Sequence, residues 1–226
     1  MKILICGDSW TYGYDVDYPW SSFLPAEVHN VSICGASNNN IEKQFTNNYN
    51  NDYDLVCIGW SGATRYPNQR CQKTGVFEFS NINKEAIKFF KNKTLDNLLQ
   101  DWQKNINTVM SISNVPVIQF SVFGEQPIKK YKNWVDYSFL EYLANKQGHY
   151  FEYDLPIFEY DWLCKQNHKF IKKFAKKYFS RSWERACIER ENIRPGTYFL
   201  GCGHPNQAGH KLWAKLINDF IENIYR

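Results

Sequence analysis

The sequence predicts an α/β fold, a doubly wound parallel sheet flanked by helices. Two observations carry this expectation. Four short segments, KILIC (2–6), VHNVSI (28–33), DLVCIGW (54–60) and VPVIQFSVF (115–123), are nearly continuous apolar runs. Such runs mark strands buried on both faces, whereas a sheet with one wet face alternates apolar and polar residues. The stretches between them carry apolar residues at helical spacing. Strands that alternate with helices in this way build a parallel sheet covered by helices.

Each element follows from its own residues. The first strand stops at Gly7-Asp8-Ser9, where a glycine lets the chain turn sharply. A serine at that point places its hydroxyl in the crevice beyond the sheet and its amide near the start of a helix. The bland role for Asp8 and Ser9 is capping, for which both residue types are preferred. After the second strand comes CGASNNNI (34–41). Gly35 can bring a backbone N–H close to a ligand, and Ser37 and Asn38 suit a loop that enters a helix. Ile41 and Phe45 stand four residues apart in the Asn-rich stretch, which reads as a short helix with a polar face. The third strand runs into IGWSGATR (58–65).

Leu95, Leu98, Leu99, Trp102, Ile106 and Val109 line one face of a helix before the fourth strand. Leu212, Trp213, Leu216, Ile217, Phe220, Ile221 and Ile224 do the same for the last helix. That helix is preceded by GCGHPNQAGH (201–210). Pro205 fits a turn or the first helical position, and Asn206 is a reasonable N-cap. His204 then lies in a loop on the side where parallel sheets place their sites, beyond the C-terminal ends of the strands.

The middle of the chain departs from the alternation. Residues 124–200 hold helical candidates and no long strand, and read as a helical insertion or cap. Within them HKFIKKFAKKYFSRSWERA (168–186) is a basic amphipathic pattern. A solvated helix face explains its lysines, and a surface for an acidic polymer or for lipid headgroups is the sharper alternative.

Bulk composition narrows the classes. A chain of 226 residues that is 43% hydrophobic suits a single domain over 1–226. A net charge of +4 does not call for nucleic acid. No apolar segment is long enough to cross a bilayer, and the first residues lack a secretory signal pattern, so a soluble chain is expected. The seven cysteines include no C-x-x-C pair. They read as buried thiols, with no metal site. Trp10 and Trp60 suit either a core or the wall of a pocket, and His210 suits packing or capping.

The four strand-end loops together hold a hydroxyl nucleophile, an imidazole and several N–H donors. Serine needs an adjacent base to become a nucleophile, and histidine is the usual one near neutral pH. With GDSWTYG (7–13), GASNNN (35–40), IGWSGATR and GHPNQAGH (203–210), the chain resembles the SGNH, or GDSL, hydrolase superfamily. Its SNNNI, GW…TR and HPN…GH details are similar to the SGNH-like proteins of tailed phages.

The resemblance implies a flavodoxin-like sheet and hydrolysis of carboxylic esters, often acetyl or acyl esters of sugars or lipids, with no cofactor. It assigns Ser9 as nucleophile and His204 as general base. The Ser9 and Gly35 amides would form the oxyanion hole, and Asp8 would mainly shape the turn. It also implies a small-molecule or glycan ester as partner and, from the phage-like details, a virion-associated location as the alternative to the cytoplasmic one that the N-terminal residues and the cysteines suggest.

Two positions differ from the family pattern. Ser61 stands where the family has an oxyanion-binding asparagine, so Ser61, Thr64, Asn38 or Arg65 would substitute. Gly201 stands where the family has the aspartate of a triad, which leaves a Ser9–His204 dyad unless Asp161 or Glu191 folds back. In serine proteases, converting that acid to its amide costs about 10⁴ in rate. Arg65 is the leading candidate for substrate recognition. The rival reading is a non-catalytic glycan-binding or virion-associated protein on the same fold.

Overall fold

The computed structural model describes residues 1–63, 65, 93–123, 126–146 and 204–226. Most of the predicted insertion, including the basic 168–186 pattern, lies outside the described residues. So do Thr64, Asp161, Glu191 and Gly201.

Four strands form one parallel sheet in the order β2-β1-β3-β4. They are β1 (Lys2–Cys6), β2 (Glu27–Asn30), β3 (Leu55–Trp60) and β4 (Val117–Ser121). Register pairs Ile3 with Val28 and with Leu55, and Val56 with Val117. Five α-helices accompany the strands among the described residues: α1 (Ser9–Tyr12), α2 (Asn38–Asn48), α3 (Leu95–Ile112), α4 (Phe139–Lys146) and α5 (Gln207–Tyr225).

Alternate strand residues feed two cores, as a sheet covered on both faces requires. Ile3, Ile5, Leu55, Cys57, Ile118 and Phe120 point to one side, where Phe139 and Leu143 of α4 and Trp213 and Ile217 of α5 pack. Leu4, Cys6, Val56, Ile58 and Val117 point to the other, against Ile41 and Phe45 of α2 and Trp102 and Ile106 of α3. The α/β architecture expected from the sequence is therefore present.

One strand differs from its expected form. β2 covers Glu27–Asn30, not 28–33, and leaves Glu27 and His29 exposed and Val28 and Asn30 half-buried. Among the described residues it pairs only with β1, at the edge of the sheet. Beyond Asn30 the chain leaves the ladder, although Val31 and Ile33 still donate to the Ile5 and Gly7 carbonyls.

The first part of the predicted insertion packs on the sheet. Trp134 makes a single parallel bridge to Gln119, and the Leu140 amide donates to the Val122 carbonyl. Among the described residues no helix is long and apolar enough to cross a membrane.

Candidate active site

The sheet changes direction of growth at β1, which has β2 on one side and β3 on the other. In open α/β sheets the crevice for ligands lies at this switch point, past the C-terminal strand ends. Gly7-Asp8-Ser9 follows β1 there and Ser61 follows β3.

Two glycines shape this end of the sheet, for a reason the sequence did not disclose. A Cβ on Gly7 or on Gly59 would lie 2.4 or 2.3 Å from the Thr11 side chain. Both glycines therefore leave room for α1 to sit against the strand ends. At Gly7 close approach, not a left-handed turn, excludes a side chain. The Gly7 backbone is also clasped by Gln44 of α2, whose Oε1 accepts from the Gly7 N–H at 2.8 Å while its Nε2 donates to the Gly7 carbonyl at 3.0 Å.

Ser9 is the first residue of α1, and Asp8 is the cap: its Oδ1 accepts from the Trp10 amide at 3.0 Å. The Ser9 N–H belongs to the first turn and so has no intrahelical partner. His204 precedes α5, whose N-cap is Asn206, accepting from the Gly209 amide at 3.0 Å. The two ends of the chain meet here. His204 Nε2 lies 3.0 Å from Ser9 Oγ, across 195 positions of sequence. With the ring proton on Nδ1, the serine hydroxyl donates to Nε2, the geometry a general base needs. The imidazole is flanked by Tyr14, at 4.9 Å between ring centroids, and by Trp10 at 6.1 Å.

Asp8 is wholly buried, and its Oδ2 is held by two groups from the third loop. Arg65 donates to it from 2.9 Å and the Ser61 hydroxyl from 3.0 Å. Arg65 also donates to Ser61 Oγ at 2.9 Å and reaches the Ala36 carbonyl at 3.5 Å. Burial pushes the Asp8 carboxyl above its ordinary range, while the Arg65 charge and the hydrogen bonds from Trp10 and Ser61 pull it back. This cluster ties together the loops after β1, after β2 and after β3. The Arg65 charge is thus paired inside the protein, and the Ser61 hydrogen is directed at Asp8. Asp8 caps the helix as its residue type suggests, and it is also the charge partner of Arg65, a pairing not anticipated from the sequence; an acid and an arginine in neighbouring strand-end loops were the available signal.

Gly35 has φ of 76°, a left-handed conformation that favours glycine. Asn38 opens α2 behind the Ser37 cap and is buried, yet neither its amide nitrogen nor its oxygen has a hydrogen-bond partner among the described residues. An orphaned carboxamide of this kind is rare in a folded protein and calls for an explanation. Trp10 and Trp60 are fully buried; Trp60 donates to Gln119 Oε1 at 2.8 Å, and Trp10 packs edge-on to Phe123 and Phe139.

His210 packs inside the protein. Its Nδ1 accepts from the Trp20 amide at 3.2 Å, and burial, reinforced by the charge of nearby His204, pulls its pKa down to about 4.

No model of a known protein family matches this chain. No curated protein matches it either.

Proposed function

We propose that this chain is a serine hydrolase that cleaves carboxylic esters through a Ser9–His204 dyad on a flavodoxin-like sheet. The observation that carries the reading is the 3.0 Å approach of His204 Nε2 to Ser9 Oγ. The strand order supports it, since β2-β1-β3-β4 follows the first four places of the flavodoxin-like order. The motif resemblance to SGNH hydrolases points the same way.

In this reading Ser9 Oγ attacks the ester carbonyl carbon while His204 Nε2 takes the hydroxyl proton. The carbonyl oxygen becomes an oxyanion, held by the Ser9 and Gly35 amides and by the Asn38 carboxamide. The tetrahedral intermediate collapses, the C–O bond to the alcohol breaks, and His204 returns the proton to the leaving oxygen. Water, deprotonated by His204, then attacks the acyl-enzyme and releases the acid and free Ser9. Asn38 takes the donor role because Ser61 is occupied with Asp8 and Arg65. Arg65 acts on the nucleophile turn through Asp8. The substrate is a small-molecule or glycan ester, with a carbohydrate O-acetyl group preferred by analogy. No step requires a cofactor.

Labelling with a fluorophosphonate tests the proposal. Wild-type protein is expected to be labelled at Ser9 and the Ser9→Ala variant not. Absence of labelling from mildly acidic to alkaline pH would defeat it. A second reading, a non-catalytic glycan-binding or virion-associated protein, is favoured by Gly201 in place of the triad acid and by the engaged Ser61. That outcome would leave the dyad unlabelled while glycan binding persists.

A further inference from the structure

Gln44 is buried in the second turn of α2, between Ile41 and Phe45, the residues that pack this helix on the sheet. A polar side chain in such a place needs hydrogen-bond partners, and Gln44 takes both of its own from one residue. Its Oε1 accepts from the Gly7 N–H at 2.8 Å and its Nε2 donates to the Gly7 carbonyl at 3.0 Å. The same carbonyl accepts from the Ile33 amide at 3.1 Å. Gly7 is thus gripped from α2 and from the segment after β2, two residues before Ser9.

The start of α2 carries Asn38, about 9 Å from Gln44 along the helix axis. Ser37 and Asn40 close a capping box over that first turn, so Asn38 moves with the helix. The apolar contacts of Ile41 and Phe45 hold α2 on the sheet, but such contacts have no direction and leave a helix able to slide or roll. Two hydrogen bonds to one residue remove that freedom, since each fixes a length and an angle. They set where Asn38 stands relative to the turn that carries Ser9.

We propose that Gln44 is a positioning residue. Through Gly7 it locks the start of α2 in register with the Ser9 turn, so that the Ser9 amide and the Asn38 carboxamide converge on one oxyanion. A misplacement of about 1 Å costs on the order of 10²-fold in rate, which is the loss this clasp prevents. The role rests on the hydrolase reading and adds to it a residue that touches no substrate.

Turnover of p-nitrophenyl acetate, fluorophosphonate labelling and thermal melting are measured on the full-length wild type, Gln44→Met, Asn38→Ala and the double variant. Methionine keeps the length of the side chain and loses both hydrogen bonds. Folded Gln44→Met is expected to lose about 10–100-fold in kcat with KM unchanged, the pattern of an interaction that matters only in the transition state. In the Asn38→Ala background the same change is expected to cost less than about threefold, because the donor it positions is already gone. Effects on melting temperature should add, which separates positioning from support of the fold. Gln44→Glu is the second variant. A protonated glutamic acid accepts from the Gly7 N–H and donates to its carbonyl as glutamine does, whereas an ionised one cannot donate. Its turnover relative to wild type is expected to approach one at the acidic end of about pH 5–9, where burial favours the neutral acid. A ratio that stays low over that whole range overturns the proposal. So does wild-type turnover in folded Gln44→Met, or a double variant whose loss is the product of the two single losses; either leaves the hydrolase standing. A wild type that is neither labelled at Ser9 nor active ends the hydrolase reading, and the role of Gln44 with it.

Discussion

The Arg65 guanidinium lies 2.9 Å from the carboxylate of Asp8, the residue that precedes Ser9. Asp8 is fully buried and the Arg65 side chain nearly so. Removing one partner of a buried pair leaves an uncompensated charge, which costs about 3–5 kcal/mol, whereas removing both costs far less. Arg65→Met keeps the aliphatic stem, and the guanidinium otherwise lies 5.8 Å from the Phe123 ring centroid. Arg65→Met is expected to lower unfolding free energy by about 3 kcal/mol or more, measured by urea denaturation. Asp8→Asn/Arg65→Met is expected to recover a large part of that loss. If the single variant melts with wild type, the pair does not hold the turn.

Thr11 fits where Gly7 and Gly59 have no side chain. A methyl at Gly59 would sit 2.3 Å from Thr11 Oγ1 and 2.9 Å from the Phe120 ring. Overpacking of this kind costs about 1–3 kcal/mol, and here it displaces the helix that carries Ser9. Gly59→Ala should therefore lose stability and fluorophosphonate reactivity together. Thr11→Ala in the same chain removes the closer clash and should restore part of both. Additive losses in the double variant would show that the two sites do not compete for one space.

The continuous apolar runs made β1, β3 and β4 legible in the sequence, because strands buried on both faces have no polar side to show. The shorter β2 was less so. Apolarity of 28–33 says that the segment is covered, not which neighbours cover it, and edge position is a property of the whole sheet. The meeting of Ser9 and His204 was anticipated from motifs at opposite ends of the chain. The pairing of Arg65 with Asp8 was not. The two lie 57 positions apart, and sequence spacing does not show which strand-end loops lie side by side. Gln44 gave no signal at all: in an Asn-rich helix nothing in the sequence separates the amide that clasps Gly7 from its solvated neighbours.

His210 carries a pH dependence whose sign follows from its burial. Its pKa falls from 6.5 to about 4 in the folded protein. Above about pH 6.5 both folded and unfolded chains hold a neutral ring, and the full contribution is present. As pH falls below that value the unfolded chain takes up a proton that the folded chain refuses, so stability is lost down to the folded pKa near 4, after which this group adds no further slope. The gap corresponds to about 3 kcal/mol. Denaturant titrations of wild type and His210→Gln between pH 7 and pH 4 should differ in slope, with the wild type losing more. Glutamine keeps an acceptor for the Trp20 amide. Parallel curves would mean that His210 is protonated inside the fold.

Asn38 separates function from stability. Its carboxamide is buried with no partner for either end among the described residues, and an unsatisfied buried polar group costs about 1–3 kcal/mol. No described residue uses either end of the carboxamide, which leaves it available for the oxyanion role proposed above. Asn38→Ala is expected to melt at or above the wild-type temperature while ester turnover falls about 10²–10³-fold, the loss that accompanies one missing oxyanion donor. Asn38→Asp keeps the shape, loses the N–H donors and places negative charge where the oxyanion forms, so it should lose at least as much. Wild-type turnover in both variants would remove Asn38 from the site. A large drop in melting temperature in Asn38→Ala would show that the carboxamide supports the fold, and the oxyanion would then rest on the Ser9 and Gly35 amides alone.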